Sequence, residues 1–257
     1  MEVRTAIPTD YPALADLTRR EGWNYSVEDF TALDRAGCAK TLVAAQSGAV
    51  RGMITILDYG SVGWISNVLV DKSLRGKRVG EELLQEGVRQ LREKRTIALF
   101  SYQDSKKFYL KEGMKYDRDF CYVRFTGGGH GAAREGTLTE AVFGLDERSF
   151  GYTRRGLLKM LAESSRLAYP LRGEGFAILR PDPTEATVGP VVAENREEGM
   201  ELLYASFNML GKGSYAVVPD ANIEGVQEVF RVSRMYYGEK PFMNPRMTFA
   251  FSGLELG

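Results

Sequence analysis

The sequence predicts a two-domain α/β protein in which each domain sets helices against a mixed sheet. Three observations carry that expectation. Over roughly the first 125 residues, helical spacings and short β-branched runs alternate as helix, helix, three strands, helix, strand, helix, strand. Residues 126–136, TGGGHGAAREG, then hold five glycines and no apolar periodicity, which suits a linker or a loop. The remaining residues repeat part of the strand–helix–strand–helix succession without visible identity, as a diverged internal duplication would. The expected organisation is a domain at 1–126, a linker at 127–136 and a second domain at 137–257.

In the first domain, Thr9 can cap a helix that places Leu14 and Leu17 on one face and ends near Gly22. Ser26 starts a second helix, with Asp29 at its third position to complement the helix dipole. TLVAA (41–45), GMITIL (52–57) and WISNVLV (64–70) read as strands, with Gly48 and Gly60 in the turns of a meander. Val79, Leu83, Leu84, Val88 and Leu91 then mark an amphipathic helix. TIALFS (96–101) is a strand, SKKFYLKEGM a short helix closed by Gly113, and FCYVRF (120–125) a last strand. In the second domain, RRGLLKMLAESS reads as a helix, followed by strands at 175–181 and 188–193. A helix carrying Met200, Leu203, Ala205 and Phe207 comes next, then a strand at 214–219, a helical stretch from Ile223 and a strand at 247–253.

Composition narrows the functional classes. Lys+Arg and Asp+Glu are both 34, which argues against the basic excess that nucleic-acid binding uses and so against a protein- or RNA-modifying surface. The opening MEVRTAIPTDYPAL has no apolar core of a signal peptide, and no run approaches the roughly 20 apolar residues of a membrane helix. Cys38 and Cys121 read as reduced thiols, so a cytoplasmic location is expected. The single histidine, His130, sits among linker glycines and reads as a solvated residue. With so few His and Cys, no zinc site and no Ser-His or Cys-His nucleophile pair is expected, and no metal.

Residues 68–84, VLVDKSLRGKRVGEELL, raise the chemical question. A helix start exposes unpaired N–H groups and the positive end of the helix dipole, a natural phosphate site. Gly76 and Gly80 allow close backbone approach, and Arg75, Lys77 and Arg78 add charge. The competing reading is a solvated surface loop. Neither the Walker nor the Rossmann glycine pattern is present.

These residues resemble motif A of the GNAT superfamily of acetyl-CoA-dependent acyltransferases, Gln/Arg-x-x-Gly-x-Gly/Ala, with Arg75 and Gly80 at its ends. S-K-K-F-Y-L-K-E-G-M (105–114) resembles the later family segment F/L-Y-x-K-x-G-F. E-G-W-N (21–24), the linker and the ending G-L-E-L-G are similar to a two-domain subgroup with a divergent second GNAT-like domain. The sequence departs from the family twice. Arg78 stands at the middle glycine of motif A, so its side chain must turn outward if its N–H is to face a pyrophosphate. Tyr102 stands where the family often has an asparagine, so one contact to the pantetheine is either missing or supplied by Gln103.

The resemblance implies a GNAT fold, tandem by subgroup, and an acetyl-CoA-dependent N-acetyltransferase in which a primary amine attacks the thioester directly in a ternary complex. It implies that strands 64–70 and 96–101 are parallel and splay near Leu69. Val68, Leu69, Val70, Arg75, Gly76, Lys77, Arg78, Val79, Gly80, Gln103 and Phe108 would hold coenzyme A, and the Leu69 N–H would polarise the thioester carbonyl. Tyr109 would protonate the departing thiolate, or else pack in the core with its hydroxyl satisfied. Trp23 and Asn24 would wall the acceptor site, Trp23 otherwise stapling two helices together, and Asn67 would orient water or substrate. Glu28, Asp29 and Asp58 read as solvated or capping carboxylates, so no general base is named.

The expected acceptor is a small-molecule or peptide amine, with no nucleic-acid or membrane partner, and a homodimer is compatible with the resemblance. A non-catalytic acyl-CoA sensor is the rival reading. In the second domain, VVAENREEGM (191–200) offers Glu194, Glu197 and Glu198 where the first offers cations, so it is not expected to hold coenzyme A in the same way. Asp220 and Asn222 would either line a cleft or cap a helix.

Overall fold

The computed structural model describes residues 1–257 and divides them into two compact units, Met1–Leu99 and Phe100–Gly257.

The first unit opens with β1 (Glu2–Thr5), a short strand absent from the sequence expectation, and a 3-10 turn at Pro8–Asp10. α1 (Tyr11–Arg19) follows, and its start is a correction: Thr9 caps nothing, and the residue ahead of the helix is Asp10. Pro8 and Pro12 explain the shift, because a proline is tolerated only where no helical N–H is needed, in the first turn. Asp10 accepts hydrogen bonds from Arg4 at 2.7 and 2.9 Å and from the Ile7 N–H at 2.9 Å, tying β1 to the helix. α2 (Val27–Arg35) starts after Ser26 as expected, and Asp29 does more than complement the dipole: Asp29 N donates to Ser26 Oγ and Ser26 N donates to Asp29 Oδ2, a capping box.

β2 (Ala39–Gln46), β3 (Ala49–Tyr59) and β4 (Val62–Val70) form the meander, turning at Ser47-Gly48 and at Gly60. α3 (Val79–Gln90) returns the chain to β5 (Thr96–Tyr102), inside which the unit boundary falls. The strand order is β1-β2-β3-β4-β5, antiparallel except for the β4–β5 pair. α1 and α2 bury Tyr11, Leu14 and Phe30 against Val43, Met53 and Leu69. Of the helices in this unit, α3 lies close enough to β3 that a Cβ on Gly87 would sit 2.9 Å from Ile54 Cδ1.

The second unit contains α4 (Lys106–Lys111), β6 (Lys115–Phe125), β7 (Ala133–Gly136), α5 (Glu140–Phe150), α6 (Arg155–Ser164), β8 (Arg166–Pro170), β9 (Gly175–Arg180) and β10 (Thr187–Ala193). α7 (Arg196–Leu210), β11 (Tyr215–Val218), β12 (Val226–Gly238) and β13 (Thr248–Ala250) complete it. Its strands run β12-β6-β11-β10-β9-β8-β7, with β13 added on β10. The core packs Val123, Phe125, Leu179 and Val191 against Leu202, Leu203 and Phe207 of α7.

The compact division itself lies ahead of the glycine-rich segment, because β6 pairs with both β11 and β12 and so belongs to the second unit. Two sequence expectations are corrected in this unit. Residues 127–136 are not a simple linker: β7 occupies Ala133–Gly136, and a Cβ on Gly131 would meet the Glu201 carbonyl of α7 at 2.0 Å. The glycines here permit close packing on a helix. The helical stretch expected from Ile223 is the long strand β12, paired with β6 from Val226↔Phe125 to Tyr236↔Lys115. α5 and β8 are further elements that the sequence pattern did not reveal. His130 is exposed, as expected, and Cys38 and Cys121 carry free thiols. No helix is long and apolar enough to cross a membrane.

Candidate functional site

The β4–β5 pair is parallel for only three partners, Val62↔Thr96, Gly63↔Ile97 and Trp64↔Ala98. Beyond Trp64 the β4 edge has no β5 partner, so the strands separate well before Leu69, where the sequence had put the splay. The same stretch of β4 is irregular on its other edge. Between Ser66↔Thr55 and Leu69↔Met53, two residues of β4, Asn67 and Val68, oppose the one residue Ile54, which is a β-bulge. Asn67 takes φ 52°, a left-handed conformation that asparagine adopts more readily than most residues. Leu69 is buried in the α1–α2 cluster, while Val68 and Val70 are half-buried. A wedge with unpaired backbone along one side therefore opens in this unit.

The chain leaves β4 through a basic turn. Asp71 Oδ1 accepts from Ser73 N at 2.9 Å and from Ser73 Oγ at 2.6 Å, and these bonds hold its carboxyl below the usual range. Arg75 folds back: its Nε donates to the Val70 carbonyl at 3.2 Å and its Nη2 lies 2.7 Å from Glu21 Oε1, with Lys72 3.5 Å from the same oxygen. Gly76 takes φ 74°, and Lys77 is exposed. Arg78 stands immediately before α3 at φ 66° and ψ 2°, and its side chain turns outward to Glu81 at 3.0 Å. No side chain caps α3, whereas Ser26 caps α2 and Asn195 caps α7. Val79 is buried and Gly80 half-buried in the first turn. An uncapped helix start beside exposed cations suits an anion.

In the second unit, Tyr109 is 7% exposed on α4, edge-on to the half-buried Phe108 at 5.0 Å. Burial pushes its phenol well above the ordinary tyrosine value. Gln103 donates through Nε2 to Ser233 Oγ at 3.2 Å, and Tyr102 lies 5.4 Å from Phe230 between ring centres. The amide expected to meet a pantetheine is thus engaged with Ser233.

The loop between α1 and α2 brings together the other expected residues. Trp23 is half-buried against the α1–α2 cluster, and Asn24 is exposed. Tyr25, which sequence reasoning passed over, stacks on Phe30 at 5.6 Å and donates its hydroxyl to Asn67 Oδ1 at 3.1 Å. Glu21, the partner of Arg75, was also missed. Each forms a tie to a residue far along the chain, which local pattern does not register. Of the unassigned carboxylates, Asp29 is consumed by its capping box and Asp58 by Lys94 at 2.5 Å, while Glu28 is exposed.

The second unit has the corresponding parallel pair, but its wedge is filled. β10 meets β11 at Thr187↔Tyr215, and β13 then pairs with β10 at Val191↔Ala250 and Val192↔Thr248. On the β11 side, Phe251 N donates to the Val217 carbonyl at 2.9 Å. The Phe251 ring is 1% exposed against Phe100, Phe120 and Phe150. The α7 start carries the Asn195 cap with Glu197 and Glu198 in its first turn, against the single cation Arg196. Asp220 accepts from Asn222 N at 3.0 Å in an exposed turn ahead of a strand, so neither residue caps a helix.

Two models of one family match the sequence. The acetyltransferase (GNAT) family model covers residues 8–114, and an acetyltransferase (GNAT) domain model covers residues 142–250. Among solved structures, one from Pyrococcus horikoshii assigned as an acetyltransferase aligns with a TM-score of 0.85 at 19% identity, over 100% of this chain and 95% of that one. A tandem GNAT protein from the clavulanic acid biosynthesis pathway aligns with a TM-score of 0.68 at 14% identity, over 94% and 99%. A GCN5-related N-acetyltransferase from Sphaerobacter thermophilus aligns at 0.59 with 15% identity, over 95% and 98%. At such identities the likeness is one of fold. No curated protein matches the sequence.

Proposed function

The chain belongs to the GNAT acetyltransferase family, and from that premise we propose that it is an acetyl-CoA-dependent N-acetyltransferase acting on a primary amine. The observation that supports this most is the open wedge between β4 and β5, leading into a basic turn and the uncapped start of α3. Pyrophosphate would meet the amides at that helix start, with the exposed Lys77 supplying charge and Arg78 contributing its backbone while its side chain lies on Glu81. Pantetheine would run along the unpaired β4 edge, accepting and donating the backbone hydrogen bonds that β5 leaves unmade. The amine nitrogen attacks the thioester carbonyl carbon, and the carbonyl oxygen takes negative charge, which a free N–H of the β4 edge stabilises. That donor is not Leu69, as the sequence had suggested. Leu69 lies opposite Met53, in register with the bond from the Asp71 N–H to the Arg51 carbonyl, and so turns its N–H to β3. The carbon–sulfur bond then breaks and the thiolate takes the Tyr109 phenolic proton. Burial keeps that proton in place at neutral pH. The attacking amine loses its own proton to water, and solvent returns a proton to the Tyr109 phenolate, which burial makes strongly basic.

Calorimetry with acetyl-CoA, followed by assay of free thiol against a panel of primary amines, tests the reading. Binding with amine-dependent thiol release is expected. Tyr109→Phe is expected to keep binding and lose turnover by roughly 100-fold, a usual contribution of a positioned acid. Tight binding without turnover on any amine would instead favour an acyl-CoA sensor.

A further inference from the structure

The face of the first unit covered by α1 and α2 is lined by Leu14, Phe30, Val43, Met53 and Leu69, yet a line of polar groups crosses it. The Thr41 and Thr55 hydroxyls lie 3.2 Å apart, Asn67 Nδ2 donates to Thr55 Oγ1 at 3.4 Å, and the Tyr25 hydroxyl donates to Asn67 Oδ1 at 3.1 Å. Thr55 is 0% and Asn67 9% exposed. Buried polar groups are destabilising unless hydrogen-bonded, so the line is favourable only while it is complete. Its inner strands are fixed by sheet pairing; its outer member is not. Tyr25 belongs to the loop between α1 and α2, the loop that also carries Trp23. Asn67 is the left-handed residue of a bulge that lies on the stretch of β4 without a β5 partner. One hydrogen bond therefore joins the α1–α2 loop to the bulged backbone beside the wedge.

We propose that Tyr25 is a positioning residue for acyl transfer: its hydroxyl clamps Asn67 and so holds the β4 bulge and the Trp23 loop in the geometry that presents an acceptor to the thioester. The proposal rests on the acyltransferase reading above. The Tyr25 ring is already braced on Phe30, so the hydroxyl is aimed rather than mobile. Tyr25→Phe keeps the ring and deletes the donor. Asn67→Gly keeps a residue that tolerates the left-handed backbone and deletes the acceptor.

The test uses the full chain. Its two tryptophans are Trp23, half-buried in the loop, and Trp64, 1% exposed, so acrylamide quenching reports chiefly on Trp23. Each single substitution is expected to raise quenching, and the double variant no further than either alone. Tyr25→Phe is expected to lower kcat for amine-dependent thiol release roughly three- to tenfold, with KM for acetyl-CoA unchanged, in keeping with the loss of one hydrogen bond. Additive quenching, or quenching like that of the unaltered chain in Tyr25→Phe, overturns the proposal. Raised quenching with unchanged kcat overturns it too, since the link would then be structural only. An unaltered chain that binds no acetyl-CoA overturns the acyltransferase reading instead, and the quenching series still decides whether Tyr25 clamps Asn67.

Discussion

Arg78 holds a left-handed backbone that costs a residue with a Cβ roughly 1–2 kcal/mol, and its guanidinium points away to Glu81 on the surface. That exposed pair returns only a few tenths of a kcal/mol. Arg78→Gly is therefore expected to stabilise the protein by about 1 kcal/mol in thermal unfolding. Calorimetry on the same variant separates the roles of backbone and side chain. Acetyl-CoA affinity should be nearly unchanged, and a loss of about tenfold or more would show that the guanidinium itself holds a phosphate. For Tyr109 the sign is equally definite. A phenol raised above its ordinary value stays protonated at and below that value, so an acid role is lost only in strong alkali. The pH profile of kcat is expected to show no decline due to Tyr109 below about pH 10. A fall near neutrality that Tyr109→Phe removes would assign it a different role. At this scale the sequence displayed Arg75, Gly80 and Tyr109, whose spacing is local, and hid Tyr25, whose partner Asn67 lies 42 residues away.

Among the elements, the start of α1 depends on a pair that joins it to a strand. Hydrogen bonding from Arg4, aided by the Ile7 N–H, holds the Asp10 carboxyl below its usual range. A depressed value means that the stabilisation is complete above the unfolded value, about 3.9, and fades as pH falls through the folded one. Asp10→Asn is expected to lower stability by about 1 kcal/mol at neutral pH. The gap between the two unfolding curves should close as the pH falls below about 4. A gap that persisted at low pH would show that the charge is not its source. The misread element, β12, teaches the complementary point. Glu228 and Arg231 form an ion pair at 2.9 Å with the i,i+3 spacing of a helix, but the segment runs along β6 as a strand. The ladder satisfies the backbone groups along its length and buries Val232 and Met235, which outweighs a local preference worth a few tenths of a kcal/mol per residue.

At the scale of the whole chain, the same arrangement occurs twice with opposite outcomes. In the first unit the parallel pair separates and leaves backbone exposed; in the second, β13 and Phe251 occupy the corresponding gap. One acetyl-CoA per chain is therefore expected by calorimetry, and two would show that β13 can be displaced. Phe251→Ala is expected to cost about 3–5 kcal/mol, because the ring fills an apolar cluster that cannot collapse around its loss.

By itself the sequence determined the two-part α/β plan, the meander, the basic turn ahead of α3 and the acidic start of α7. Each of these is written in spacings of a few residues, over which propensity, capping and charge act directly. The tertiary structure decided where β4 leaves β5, that Asn67 bulges and is held by Tyr25, that the glycine-rich segment packs on α7 and that β13 closes the second wedge. Those outcomes depend on which distant backbone groups find partners, and a strand edge is open or filled only according to what the rest of the chain brings to it.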